Sequence, residues 1–107
     1  MAPNPVSNDA PDPKATGYRL RKGEGVQFTF RGTQMTIKVS GDQSEGAYTL
    51  IEMLHPPSVG PARHIHPTGA EAFYVLVGQY TIDCGDTQYE AGSGDFVFIP
   101  KGTAHSY

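Results

Sequence analysis

Residues 64–78 read HIHPTGAEAFYVLVG. His64-Ile65-His66 is a strand-type pair: in an extended chain, residues i and i+2 point to the same face, so both imidazoles lie on one side. Pro67-Thr68-Gly69 is a breaker. From Glu71 to Val77, residues 71, 73, 75 and 77 share one face and 72, 74 and 76 the other. Both faces are largely apolar, so this strand is predicted to be covered on both sides. One face would line an interior, and the other, carrying Tyr74, would meet a second sheet or subunit. Glu71 follows His66 by five residues. That is enough chain to turn and return antiparallel, which would set the Glu71 carboxylate beside the two rings.

The same rhythm extends in both directions. Val26–Phe30, Gln34–Val39, Ala47–Leu54, Gln79–Cys84 and Asp95–Ile99 read as further strands, with Arg19–Arg21, Arg63–His66, Thr87–Glu90 and Ala104–Tyr107 as shorter ones. Gly, Pro, Asp and Ser separate them, as in Gly41–Gly46, Pro56–Pro61 and Gly92-Ser93-Gly94. No segment of ten residues holds a helical period. Many short strands with turns at this spacing predict an all-β sandwich or barrel. In Phe96-Val97-Phe98-Ile99 both alternations are apolar, so either Phe96 and Phe98 or Val97 and Ile99 could face inward.

The chain has 107 residues, 13 of them Gly and 9 Pro. That length allows one domain, and that composition excludes a long-helix protein. No apolar run approaches the roughly 18 residues of a membrane-spanning helix. Residues 1–17 hold four prolines and, beyond Ala and Met1, a single aliphatic, Val6, so they are expected to form a flexible tail before one domain over 18–107. The N-terminus shows neither the basic nor the apolar region of a signal peptide. The one cysteine, Cys84, excludes an intramolecular disulfide and reads as a small core residue beside Tyr80 and Ile82. Together these features predict a cytoplasmic protein. Net charge is −3, which argues against nucleic acid as a partner. Residues 18–38 carry five basic side chains against Glu24, a net of +4, while 39–107 carry eight acids against Arg63 and Lys101, a net of −6.

Four histidines occur, and three join one pattern. Downstream of Glu71, Pro100-Lys101-Gly102 reads as a turn that ends one strand and starts the next, which would point His105 inward. His64, His66, Glu71 and His105 form a mixed nitrogen and oxygen set suited to one divalent transition ion: Mn, Fe, Co, Ni, Cu or Zn. Without a Cys ligand it is not a structural thiolate zinc site. An octahedral ion held by four groups keeps two open positions. His55, before Pro56-Pro57, reads as a loop-end histidine, and Arg63 points away from the His64 face.

His64-x-His66-x4-Glu71-x6-Gly78, followed by Gly94-x5-Pro100-x-Gly102-x2-His105, strongly resembles the two motifs of the cupins. At this composition, Gly, Pro, Gly and His at those offsets arise by accident in about 0.4% of such chains, and His, His, Glu and Gly in roughly 0.1%. The resemblance is tight over 47–107. From Tyr18 it is looser, similar to the N-terminal strands of small quercetin-dioxygenase-like cupins. It implies a double-stranded β-helix, or jelly-roll, barrel with extra N-terminal strands, and a metal held by the four ligands. Two positions depart from the pattern. The first motif normally opens with Gly six residues before its first His, where this chain has Ser58, with Gly60 nearby. The second normally ends with Asn four residues after its His, which would be position 109. Cupins usually continue with further strands there. Either the chain is a shortened one, or extra N-terminal strands and a partner subunit cover what is missing.

The resemblance suggests a metal-dependent dioxygenase acting on an aromatic or enediol-like substrate. Glu71 could leave the metal and serve as base toward a substrate hydroxyl. Phe73, Val75 and Tyr107 would line the pocket. A non-catalytic small-molecule or metal-binding module, and a metal-assisted isomerase or hydrolase, are the other readings, because the fold does not decide the reaction. A small-molecule ligand or substrate is expected, without nucleic acid or membrane. A homodimer is expected too, with the basic N-terminal strands of one subunit on the acidic surface of the other.

Overall fold

A computed structural model of the chain describes residues 17–107; the tail expected over 1–17 lies, up to residue 16, outside the described residues. The described chain is all-β, and every pairing between its strands is antiparallel. Among the described residues no helix is long and apolar enough to cross a membrane. The chain divides into two compact units at Val59 and Gly60.

The first unit is a three-stranded meander of β1 (Val26–Phe30), β2 (Thr33–Val39) and β3 (Leu50–Leu54). Arg31 and Gly32 join β1 to β2 with φ of 50° and 83°. Two positive φ values in a two-residue loop give the turn whose twist matches a hairpin. The Arg31 guanidinium lies 5.3 Å from the centre of the Phe30 ring. Alternation is regular: Val26, Phe28, Met35, Ile37, Ile51 and Met53 share one face through the pairs Val26 with Ile37 and Met35 with Met53. The register shifts between Ile37 and Val39, and Lys38 reaches the Glu24 carbonyl at 2.6 Å and Glu52 at 3.6 Å.

The strand expected over Ala47–Leu54 starts only at Leu50, because residues 44–48 close on themselves. Ala47 N–H donates to the Ser44 carbonyl, and the Ser44 hydroxyl donates to the Tyr48 carbonyl at 2.6 Å. Arg19–Arg21 is not a strand; Glu24 N–H donates to the Arg21 carbonyl and turns the chain there.

The second unit holds β4 (Glu71–Tyr74), β5 (Tyr80–Cys84), β6 (Thr87–Ala91), β7 (Phe96–Ile99) and β8 (His105–Ser106). β4 pairs with β7, and β5 lies between β6 and β8. The core is Val75, Ile82, Ala91, Val97 and Ile99, with Phe73, Tyr80, Cys84 and Tyr107 packed against it. Val97 and Ile99 are therefore the inward pair of β7, and Phe96 and Phe98 point out. Cys84 lies against the core as expected. The run expected as a strand through Val77 ends at Tyr74, although Val75 N–H still donates to the Asp95 carbonyl. Tyr74 and Leu76, on its second face, are exposed.

Ser58, where the resemblance calls for Gly, has φ of 62°. The left-handed conformation is thus kept by a residue with a Cβ, at a cost of about 1–2 kcal/mol. Ser58→Gly relieves that cost and adds about 0.4–1 kcal/mol of unfolded-chain entropy to be lost. The variant is expected to be more stable by roughly 0.5–1 kcal/mol, read as a higher midpoint in denaturant unfolding. A lower midpoint would show that the Ser58 side chain contributes more than its conformation costs.

Candidate metal centre

The backbone brings the two motifs together before any side chain acts. His64 N–H donates to the His105 carbonyl and His105 N–H to the His64 carbonyl, both at 2.9 Å, an isolated antiparallel bridge. Residues paired in this way present their side chains on the same face. One turn further, Gly102 N–H donates to the His66 carbonyl at 2.8 Å, and Gly102 takes φ of 78°, which favours glycine. β8 is in turn fixed to β5, with His105 opposite Cys84. Glu71 enters from β4, opposite Ile99 of β7.

The expected set meets. Ring centres lie 4.9 Å apart for His64 and His66, 4.3 Å for His64 and His105, and 5.3 Å for His66 and His105. Glu71 Oε1 is 2.7 Å from His105 Nε2 and 3.5 Å from His66 Nε2. Burial is graded: His105 is 1% exposed, His64 and Glu71 are half-buried, and His66 is exposed.

Two rings have their protons placed by the main chain. His64 Nδ1 is 2.7 Å from the Ala62 carbonyl, and His105 Nδ1 is 2.9 Å from the Thr103 carbonyl. A carbonyl oxygen only accepts, so each Nδ1 carries the hydrogen and each neutral ring keeps its Nε2 lone pair. Such backbone contacts orient imidazole ligands in metal sites and raise their basicity. At Glu71 and His105 two lone-pair-bearing atoms then face each other at 2.7 Å, a contact that needs a cation or a proton between them. One donor atom from each of the four residues lies within 4.8 Å of all the others. Ligands on one ion at bonds of about 2.1 Å span at most about 4.2 Å. The group is therefore formed to within roughly half an ångström of what a divalent ion requires, and its chemistry fits one.

The remaining expected residues are placed as follows. The Phe73 and Tyr107 rings pack together with centres 4.9 Å apart. Burial pushes the Tyr107 hydroxyl above its ordinary pKa, and the nearby charges of Glu71 and Tyr80 push it the same way. Val75 lies within the core. Arg63 donates to the Gly85 carbonyl at 2.7 Å, which ties its guanidinium to the main chain. His55 follows β3 in the first unit, where burial lowers its pKa. The Ala62 and Thr103 carbonyls were not singled out by the sequence. Each precedes its histidine by two residues, but any residue supplies a carbonyl, so their identities carry no signal.

Residues 50–107 match the family described as Cupin domain. Over 90 residues the chain is 29% identical to quercetin 2,3-dioxygenase of Bacillus subtilis (strain 168), an alignment that covers 84% of this chain and 27% of that protein. The chain thus spans about a quarter of the length of that relative.

Proposed function

From the premise that the chain belongs to the Cupin domain family, we propose that it is a metal-dependent oxidoreductase of the dioxygenase type, acting on a small aromatic or enediol-like substrate. His64, His66, Glu71 and His105 would hold one divalent transition ion among Mn, Fe, Co, Ni, Cu and Zn. The observation that carries this reading is the convergence of three imidazoles and one carboxylate on a single point, with two of the rings turned by backbone carbonyls so that Nε2 faces it. When bound, such an ion would supply Lewis acidity and, for the redox-active members of that set, electron transfer toward dioxygen.

The chain's own residues have separable tasks. Glu71 is the one anionic member of the group, and its carboxylate would accept the proton of a substrate hydroxyl at Oε1. His105, fully buried and held by Thr103, would keep its side of the site rigid. His66, the exposed member, would sit on the solvent side where a substrate arrives. Phe73 and Tyr107 would offer an apolar wall beside Glu71 for an aromatic ring, backed by Val75. The fold would be a jelly-roll barrel with extra N-terminal strands, in a cytoplasmic protein.

The test is elemental analysis of the purified protein, followed by oxygen uptake with panels of flavonols and diketones. About one equivalent of a divalent transition metal is expected, with oxygen consumed in the presence of one substrate class. A metal-loaded protein that consumes no oxygen with any member of the panels would leave the non-catalytic binding module as the better reading.

A further inference from the structure

The four members of the metal centre are not held alike. His64 is fixed twice: its main chain makes both bonds of the bridge to His105, and its Nδ1 is held by the Ala62 carbonyl. His105 has the same two supports, with Thr103 in place of Ala62, and its side chain is 1% exposed. Glu71 stands within β4, opposite Ile99, and its side chain is 28% exposed. The His66 ring has neither kind of support. Among the described residues its Nδ1 meets no hydrogen-bond partner, and its side chain is 51% exposed. Its Nε2 stands 3.5 Å from Glu71 Oε1, where His105 Nε2 stands at 2.7 Å.

The chain around His66 is open as well. One main-chain bond, from Gly102 N–H to the His66 carbonyl, fixes it. Residues 65–70 are all exposed and belong to no strand. The His66 ring therefore has solvent to turn into by side-chain rotation, a motion that exposed residues make quickly. The His105 ring has no such exit. Ring support has a known worth: loss of the group that orients a metal-bound imidazole lowers metal affinity about 10–100-fold. A ring without that support contributes correspondingly less to holding the ion. Three protein ligands are enough for a divalent ion in catalytic zinc sites, and His64, Glu71 and His105 make three.

We propose that His66 is the exchangeable ligand of the centre: His64, Glu71 and His105 hold the ion, and His66 yields its place to small nitrogen or oxygen donors entering from solvent. This rests on the metal centre proposed above and adds where exchange takes place. It divides the three histidines by how the backbone holds them, a distinction that their spacing in the sequence does not carry.

Cobalt(II) titrated into the metal-free full chain, in competition with a chelating indicator, tests this. The wild type should take up about one equivalent. His66→Ala should still take up about one, with affinity lowered about tenfold, while His64→Ala should bind at least about tenfold more weakly again. Glu71→Gln removes the one anion of the group and should also fall below His66→Ala; it is the comparison to use if His64→Ala loses its fold. Circular dichroism of His66→Ala should match the wild type, because the side chain is exposed and alanine keeps the carbonyl that accepts from Gly102. Millimolar imidazole should recover most of the loss in His66→Ala, since the place it fills is open to solvent, and should move the cobalt absorption of that variant toward that of the wild type. An affinity of His66→Ala at or below those of His64→Ala and Glu71→Gln would overturn the proposal, as would an affinity that imidazole leaves unchanged. A wild type that binds no cobalt would overturn it together with the centre on which it rests.

Discussion

Replacing His64 and His66 together by alanine is expected to take the protein from about one bound divalent ion per chain to none, with affinity lowered by at least a factor of about a thousand. Loss of a group that merely orients a metal-bound histidine costs about 10–100-fold, and this variant removes two of the ligands themselves. The remaining pair, Glu71 and His105, is 2.7 Å apart and reaches the site from only two directions. The fold should survive, because the bridge between His64 and His105 is made by main-chain atoms that alanine retains. His66 is exposed and His64 half-buried, so the cavity left behind is small. Circular dichroism should therefore match the wild type while elemental analysis does not. The wild-type site should also lose its ion on acidification, since protons compete for the same lone pairs. If the double variant still carries one equivalent of metal, the ion is held elsewhere and the proposed function loses its foundation.

Much of this centre was legible because its spacing obeys strand geometry. Parity alone puts His64 and His66 on one side, and the breaker at Pro67-Thr68-Gly69 forces the return that delivers Glu71. What parity could not settle was β7. Phe96, Val97, Phe98 and Ile99 are all apolar, so the alternation carries no sign; pairing of Ile99 with Glu71 and Val97 with Phe73 decides that these two face the core. Strand ends were also hidden. Ala47 and Tyr48 suit a strand by composition, yet the Ser44 carbonyl accepts from Ala47 N–H and the Ser44 hydroxyl holds the Tyr48 backbone in a turn. Arg31-Gly32, which sets the register of β1 against β2, is weakly marked in the sequence because only one of its two residues is a turn former by type. Polar side chains that compete for local backbone groups, and φ values carried by unexpected residues, leave little trace in an apolar pattern.

Gly60→Ala is expected to be the most damaging single methyl in the second unit. Gly60 opens that unit four residues before His64, and its Cα lies directly against the backbone of Tyr107. A methyl there would meet the Tyr107 carbonyl oxygen, and its carbonyl carbon at 2.8 Å. Those are main-chain atoms of Tyr107, the last residue, so the strain falls on its backbone and on the Gly60 segment. Relief requires the Gly60 segment or Tyr107 to shift, and both adjoin the pair joined by the two 2.9 Å bonds between His64 and His105. The substitution thus places strain next to the bridge that aligns two of the metal-binding rings. Overpacking of this kind costs about 1–3 kcal/mol and sometimes more. For a chain of this size the upper part of that range is a fall of roughly 10 °C in melting temperature. Metal affinity should fall with it, because His64 and His105 would no longer share one face at the present separation. Gly69→Ala is the matched control: nothing lies within 4 Å of the added methyl, and its melting temperature should stay within a few degrees of the wild type. Equal melting temperatures for the two variants would mean that the approach of residue 60 to Tyr107 does not constrain the site.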